Sequence, residues 1–464
     1  MQKIVIENFM AIRHAEIEVN KVLVLIGEQA SGKSTIAKLI YFFKSLRDEV
    51  FDLTYDADNS SDIQGDLVIN VSLSKFQEFF GSIRQLSDFK ITYYYDVENN
   101  KRLMLEWSNG KNFSTKFTGS ILTDDFKNEV SRLKKTFQIG ANNGNVHEQL
   151  GNKQYIKTLS SFINNVFDCY HNSSLYVIAG RNATVSFSYL FEKYLFANIQ
   201  SKIEQNKRNP FEKKEHTIDE YLMLDFVVHT DKIKSIFKKY GDFEGLIDFH
   251  SNSNNQIENS ISVVNETIKK ILKGDYKVDN QGEKIILSNG KHIHLNNASS
   301  GQQESIRILQ DIFLALIEQQ KVFRIIEEPE AHLFPEAQKQ MIELLAILVN
   351  ADSDNQVIIT THSPYVLTVF NNLLFANRVI EKNPDTREEV SKLIDIQSLI
   401  SANDFAAYSL NPSQADENGE DYCVNLINER TQVIDQNYLD TVSEELSNDF
   451  RTLYDLHTKS FARK

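Results

Sequence analysis

Residues 27–35 read Gly-Glu-Gln-Ala-Ser-Gly-Lys-Ser-Thr and satisfy the spacing G-x-x-x-x-G-K-[ST] between an apolar run and a helical pattern. That order of residue types holds a polyphosphate. Gly27 and Gly32 let the backbone turn its N–H groups inward around phosphate oxygens, and a helix starting near Lys33 adds the positive end of its dipole. Lys33 is spaced to reach the β- and γ-phosphates, Ser34 to ligate Mg²⁺, and Thr35 completes the motif. A second group of acids stands far downstream. Val322 to Ile326 reads as a buried strand interrupted only by Arg324, and it ends in Glu327 and Glu328. Because a strand sends successive side chains to opposite faces, the two acids can work separately: Glu327 on the Mg²⁺ shell, Glu328 on the attacking water. His362 closes a third apolar run, Val357 to Thr361, and is a candidate for sensing or stabilising the γ-phosphate.

A further candidate is Asn297-Ala298-Ser299-Ser300-Gly301-Gln302. A Ser-Ser-Gly turn at a helix N-terminus presents hydroxyls and free N–H groups to an anion; on its own it reads equally as an ordinary N-cap. Arg181, after Leu175 to Ala179 and Gly180, has two readings that the residues leave open: it points at a phosphate or an interface, or it is structurally paired.

These groups need elements to carry them. The N-terminus alternates as strands do through Ile4, Ile6, Ile17 and Val19, and then runs apolar from Val22 to Ile26 into the motif. Ile36, Leu39, Ile40 and Phe43 recur at helical spacing and predict a helix ending near Arg47. Leu67 to Thr118 breaks into short β-runs, Val68 to Leu73, Ile91 to Tyr95 and Leu103 to Trp107, with Asn-Asn and Asn-Gly turns between the later ones, which predicts an antiparallel lobe. Tyr189 to Lys273 is mostly helical in pattern and predicts an inserted arm. Its lysines, Lys202 to Lys214 and Lys232 to Lys239, are better explained as solvated helix faces than as DNA contacts. Strands over Lys284 to Leu287 and His292 to Leu295 precede the Ser-Ser-Gly turn, and Ile306, Leu309, Phe313 and Leu316 mark the helix after it. Pro335 opens a helix lined by Met341, Leu344, Leu345 and Leu348, and Ser363-Pro364 starts another. The resulting division is 1–185 for the part that carries residues 27–35 and the β lobe, 186–275 for the arm, 276–380 for the part that carries the Ser-Ser-Gly turn, Glu327-Glu328 and His362, and 381–464 for a helical tail.

Composition bounds the rest. At 464 residues the chain exceeds a single core, and 41% hydrophobic with 25% charged residues is the balance of a soluble globular protein. No apolar run reaches the ~18 residues of a membrane span, so the expectation is a cytoplasmic protein without membrane association or signal peptide. Cys169 and Cys423 are the only cysteines and lack metal-ligand spacing, which excludes a disulfide framework. A net charge of −14 argues against a chain that coats nucleic acid.

Taken together, Ile6-Glu7-Asn8-Phe9, Gly27 to Thr35, Ala298 to Gln302, Glu327-Glu328-Pro329-Glu330-Ala331-His332-Leu333 and Thr360-Thr361-His362-Ser363-Pro364 resemble the ABC-type ATPase heads of the RecF, SMC and OLD families. The Glu-Glu-Pro-Glu-Ala-His-Leu run looks like the RecF and OLD branch. Three departures stand out: Gln29-Ala30 where the family usually has Asn-Gly, Ala298 where its signature begins with Leu, and Glu327 where Asp is commoner. The resemblance implies an α/β fold, a P-loop ABC-ATPase head with an antiparallel β lobe and an inserted helical arm. It implies ATP and Mg²⁺ as cofactors and a homodimer or higher even oligomer, in which Ser299, Ser300, Gly301 and Gln302 cap the ATP of the neighbouring protomer. The tail lacks the strand-borne Asp-x-Asp of an OLD-type nuclease, and Asp416, Glu417, Glu420 and Asp421 read as a solvated loop. The chain therefore resembles the stand-alone ATPases of bacterial antiviral defence, of the Septu type, which act with a separate nuclease or toxin. The alternative is a RecF-like repair ATPase that binds DNA; a self-contained nuclease is the weakest of the three readings.

Overall fold

The computed structural model describes residues 1–56, 67–81, 86–110, 112–118, 124–141, 147–186, 193, 218–251, 255–411, 422–435, 446–455 and 457. The lysines of 202–214 and the acidic stretch 416–421 noted above lie outside these residues.

Strands β1 (Gln2–Phe9), β2 (Ile12–Val19) and β3 (Val22–Gly27) are followed by helices α1 (Lys33–Asp56) and α2 (Leu67–Phe80). Strands β4 (Phe89–Asp96), β5 (Lys101–Ser108) and β6 (Asn112–Thr118) then pair in sequence. Together with β1 and β2 they form a five-stranded antiparallel sheet in the order β2-β1-β4-β5-β6, the lobe that the alternating residues predicted. Helices α3 (Asp124–Ala141) and α4 (His147–Phe167) lead to β7 (Ser173–Val177) and the short α5 (Ala183–Ser186).

Two expectations in this half are corrected. Val68 to Leu73 is not a strand. Val68, Val71, Ser72, Lys75, Phe76 and Phe79 are buried positions of α2, a helical spacing, and Phe76 and Phe80 pack within 5.4–6.2 Å of Phe42 and within 5.4–5.8 Å of Phe9. Burial in that aromatic cluster outweighs the β preference of Val68, Ile69 and Val71. Helix α1 continues beyond Arg47 to Asp56, because Leu46, Val50 and Thr54 carry the buried face onward.

The helical insertion holds α6 (Ile218–Tyr240), α7 (Phe243–Ser251) and α8 (Asn255–Leu272). These lie on the head. Tyr41 of α1 donates to Asp225 at 3.3 Å, Lys38 pairs with Asp219, and the Phe243 ring meets Phe313 at 4.8 Å. A three-stranded sheet follows, β8 (Asp275–Asp279), β9 (Gly282–Ile286) and β10 (His292–His294), of which β8 was not foreseen. Next come α9 (Ser300–Ile317), β11 (Val322–Glu327), α10 (Pro335–Asn350), β12 (Gln356–Thr361), α11 (Pro364–Lys382), α12 (Arg387–Ser391), β13 (Phe405–Leu410) and β14 (Cys423–Asn425).

The central sheet runs β14-β13-β3-β12-β11-β7, parallel except for β14. β3, β11 and β13 are buried at every position, as parallel strands covered on both faces must be. The label of a helical tail for 381–464 is thereby corrected. The described residues 446–455 are helical, but β13 is a core strand beside β3, with Leu410 opposite Gly27. Phe405-Ala-Ala-Tyr-Ser-Leu410 is short and mixed in size, and only its pairing partner makes it a strand. Among the described residues no helix is long and apolar enough to cross a membrane.

Candidate functional site

Register gathers the site. Ile26 lies opposite Thr361, Thr360 opposite Glu327, and Gly27 opposite Leu410. The carboxyl ends of β3, β12, β11 and β13 therefore end on one line, the edge at which open α/β sheets bind ligands. On that line stand the residues 27–35, the acids 327–330, and His362.

The phosphate loop is held from behind by parts of the chain that its own sequence does not announce. Gly27 has φ +154°, and a Cβ there would come 2.3 Å from the Leu410 carbonyl oxygen. At Gly32, φ +94°, a Cβ would lie 2.7 Å from the Tyr422 hydroxyl, which donates to the Ser31 carbonyl. Both glycines are required because β13 and Tyr422 back the loop. Ala30 takes φ +62°, a left-handed conformation that costs a non-glycine residue about 1 kcal/mol. This is where the glycine of the commoner Asn-Gly would sit without strain.

The first ladder bond of α1 runs from the Ile36 N–H to the Gly32 carbonyl at 3.0 Å, so the N–H groups of Lys33, Ser34 and Thr35 point along the axis with no acceptor inside the helix. Lys33 is buried and folds back, donating to the carbonyls of Gly27 at 2.9 Å and Glu28 at 2.8 Å. Burial lowers its pKa to about 8, against the opposing pull of Glu328, Glu330 and Glu327.

The acids divide as strand alternation predicts. Glu327 is buried, and both of its carboxylate oxygens are engaged, accepting from the Tyr176 hydroxyl at 2.7 Å and the Ala179 N–H at 3.0 Å. Its orientation is fixed by β7, and each oxygen keeps a lone pair. Glu328 faces the open side, 39% exposed, with its carboxylate 3.4 Å from His362 Nε2. Burial first, and then the charge of Lys33, hold His362 below its ordinary pKa. At neutral pH this contact is therefore a carboxylate beside a neutral imidazole rather than an ion pair.

Glu328 also adopts φ +44°. A non-glycine residue in that region stores about 1–3 kcal/mol and persists only when its surroundings fix it. Here its N–H donates to the Thr360 carbonyl at 2.8 Å, and its carbonyl accepts from Ala331 at 3.0 Å and from Arg181 at 2.9 Å. Glu330 is buried beneath, where it accepts from the Thr361 hydroxyl and, at 3.3 Å, from the His362 N–H. Its Oε2 is buried without a partner, and burial is the main reason its pKa is raised.

Arg181 is fully buried, which decides between the two readings in favour of structural pairing. Ser299 is the N-cap of α9 and forms a capping box with Gln302, whose side chain also donates to the Leu272 carbonyl at 2.6 Å. Ser299 and Ser300 are exposed, while Gly301 is buried where a Cβ would come 2.6 Å from the His332 carbonyl oxygen. The turn therefore packs against the loop that follows Glu328. Sequence reasoning missed Tyr176 on β7, Leu410 on β13 and Tyr422 just before β14, all far away in the chain.

Residues 1–367 match the family model described as the AAA ATPase domain. The chain belongs to this family. Among solved structures, this AAA ATPase domain is similar to the SMC head domain from Thermotoga maritima, at 12% identity and a TM-score of 0.33 over 79% of this chain and 90% of that one. It is also similar to an Smc head bound to the C-winged helix domain of ScpA, at 12% identity and a TM-score of 0.35 over 79% and 91% of the two chains. A third is the Smc head domain with an extended coiled coil bound to the C-terminal domain of ScpA from Pyrococcus furiosus, at 10% identity and a TM-score of 0.29 over 80% and 92%. No curated protein matches the sequence.

If Lys33 binds phosphate, as its place in the loop leads us to expect, ATP affinity should depend on pH. With a pKa of about 8 in the free protein, Lys33 is charged at pH 7 and mostly neutral at pH 9. Phosphate favours the charged form, so binding should weaken as pH rises from about 7, approaching about tenfold per unit above pH 8. Calorimetric Kd values between pH 7 and 9.5 test this; a flat profile would show that Lys33 carries no binding charge.

Proposed function

We propose that this AAA ATPase domain binds Mg²⁺-ATP at the line of strand ends and hydrolyses it. Two copies would work head to tail, with Ser299, Ser300, Gly301 and Gln302 of one completing the site of the other. The observation that carries the reading is the convergence of Lys33, Glu328 and His362 from three separate strand-helix junctions.

The donor set suits the ligand. Backbone N–H groups, a helix N-terminus and one buried lysine match a polyphosphate. Among the described residues no group of three or more His, Cys, Asp or Glu is placed to hold a metal ion. Mg²⁺ commonly takes one or two protein ligands and completes its shell with phosphate oxygens and water; Ser34 and Glu327 are the proposed protein ligands. When bound, Mg²⁺-ATP supplies the electrophilic phosphoryl group. The chain's own residues do the rest: the P-loop N–H groups and Lys33 bind the phosphates, Glu328 orients and takes the proton of the attacking water, and neutral His362 donates towards the γ-phosphate.

The Glu-Glu-Pro-Glu-Ala-His-Leu run resembles the RecF and OLD branch, and a tail sequence without the Asp-x-Asp of an OLD-type nuclease extends the reading to a cytoplasmic sensor or scaffold that controls a separate nuclease or toxin in bacterial defence. Purified chain should release phosphate from ATP with Mg²⁺ and stop on chelation by EDTA, and a co-expressed effector should co-purify with it. Absence of both ATP binding and phosphate release would overturn the enzymatic reading; turnover without any captured effector would overturn the scaffold.

A further inference from the structure

The structural pairing of Arg181 is made at the backbone of the site's own acids. Its guanidinium is 0% exposed and donates to four carbonyl oxygens: Ile178 at 3.2 Å, Glu304 at 2.9 Å, Glu327 at 2.8 Å and Glu328 at 2.9 Å. The Glu304 carboxylate lies 3.4 Å from its Nε, an ion-pair distance that leaves the Glu304 Oε2 without a hydrogen bond. Three elements meet at this one planar group: the end of β7, the first turns of α9 and the end of β11. Arg181 is itself held, since Gly180 turns the chain at φ +71° and the Thr184 hydroxyl and N–H both donate to the Arg181 carbonyl.

Burying a guanidinium costs several kcal/mol, and well-packed apolar residues often do as well or better for stability alone. The placement of its partners is the more telling feature. The Glu328 carbonyl is part of a left-handed residue, and that conformation aims the carboxylate away from the sheet towards His362. Five donors in a fixed fork can serve carbonyls on separate elements at once, whereas a lysine ammonium offers three donors from a single point.

We propose that Arg181 is a positioning residue for phosphoryl transfer, one that ties the register of α9, and so of the Ser299 to Gln302 turn, to the backbone of Glu328. A shift of α9 is then felt at Glu328 without passing through the nucleotide. Glu304, Arg307 and Asp311 fix the same helix to its surroundings, through Arg181, through Glu283 at 2.6 Å, and through Arg324 at 2.7 Å. Of these three ties, Arg181 is the one that reaches the acids.

The proposal rests on the assignment of Glu328 above, and the two can fail separately. In the full chain, Arg181→Lys keeps the charge and should lower kcat about 100-fold while the Kd for ATP stays within about twofold, since no Arg181 bond reaches the phosphate loop. Arg181→Ala should lose turnover likewise and regain part of it with millimolar guanidinium, which a defect of folding would not do. Thermal denaturation of both variants reports whether they are folded; the lysine variant carries the test if the alanine variant is not. Wild-type kcat in Arg181→Lys, or a loss of ATP affinity matching the loss of kcat, would overturn the proposal. If Glu328→Gln is inactive while Arg181→Lys turns over normally, the assignment of Glu328 stands and this inference falls. If Glu328→Gln turns over normally, the assignment itself falls.

Discussion

Replacing Glu328 by Gln should leave ATP bound and stop its turnover. The substitution keeps the shape of the side chain and its reach to His362, but removes the charge that would take a proton from water. Glu328 is the one acid of the group suited to that work. Glu327 has both oxygens engaged by Tyr176 and Ala179, and Glu330 is buried under Thr361 and the His362 N–H. Loss of a general base costs typically about 10²–10⁴ in rate, so single-turnover phosphate release should fall by that order. Equilibrium binding of ATP should change little, because the proposed site assigns the phosphates to the loop and Lys33. With hydrolysis blocked, the ATP-bound closed dimer should accumulate, which mass photometry or size exclusion would show. Wild-type turnover in this variant would move the role elsewhere, with Glu330 next in line.

The parts of the site visible in the sequence are those whose signal is local. The spacing Gly27, Gly32, Lys33, Ser34 is itself a backbone device, and an apolar run ending in Glu327-Glu328 states its own strand and its own exit. His362 was found the same way, from a strand followed by Ser363-Pro364, although the Ser363 hydroxyl turns out to donate to Gln338 at 2.8 Å rather than cap α11. What the sequence did not disclose depends on pairing across long separations. Tyr422 reaches Ser31 across 391 positions, and β13 is a strand because β3 offers it a free edge. Neither fact leaves a periodic trace in residues 405–410. Arg181 was visible as a residue but not as a role, since four carbonyl partners on three elements have no sequence pattern. The misreading of Val68 to Leu73 has the opposite cause. There a local β preference was real, and the aromatic packing of Phe76 and Phe80 overrode it.

Complementation between two inactive chains tests whether the working unit is composite. Lys33→Ala removes the single side-chain cation of the phosphate loop. A charge-assisted bond of that kind is worth about 1.5–3 kcal/mol, roughly ten- to a hundredfold in Kd, and hydrolysis should be lost altogether. Ser299→Arg places a bulky cation on an exposed N-cap. Loss of the cap costs about 1 kcal/mol, so the chain should still fold, with its own P-loop, Glu328 and His362 untouched. As homodimers both chains should be inactive. In the heterodimer, the intact P-loop of the Ser299→Arg chain meets the intact Ser299, Ser300, Gly301 and Gln302 of the Lys33→Ala chain, and the second site contains both lesions. One of the two symmetry-related sites is whole, so each heterodimer should recover up to half the wild-type rate. Native mass spectrometry confirms that the chains have exchanged. Full activity of the Ser299→Arg chain by itself would show that each protomer hydrolyses ATP unaided, and would leave the Ser299 turn with no task beyond the capping box it forms with Gln302; exchange without any recovered activity would overturn the composite site.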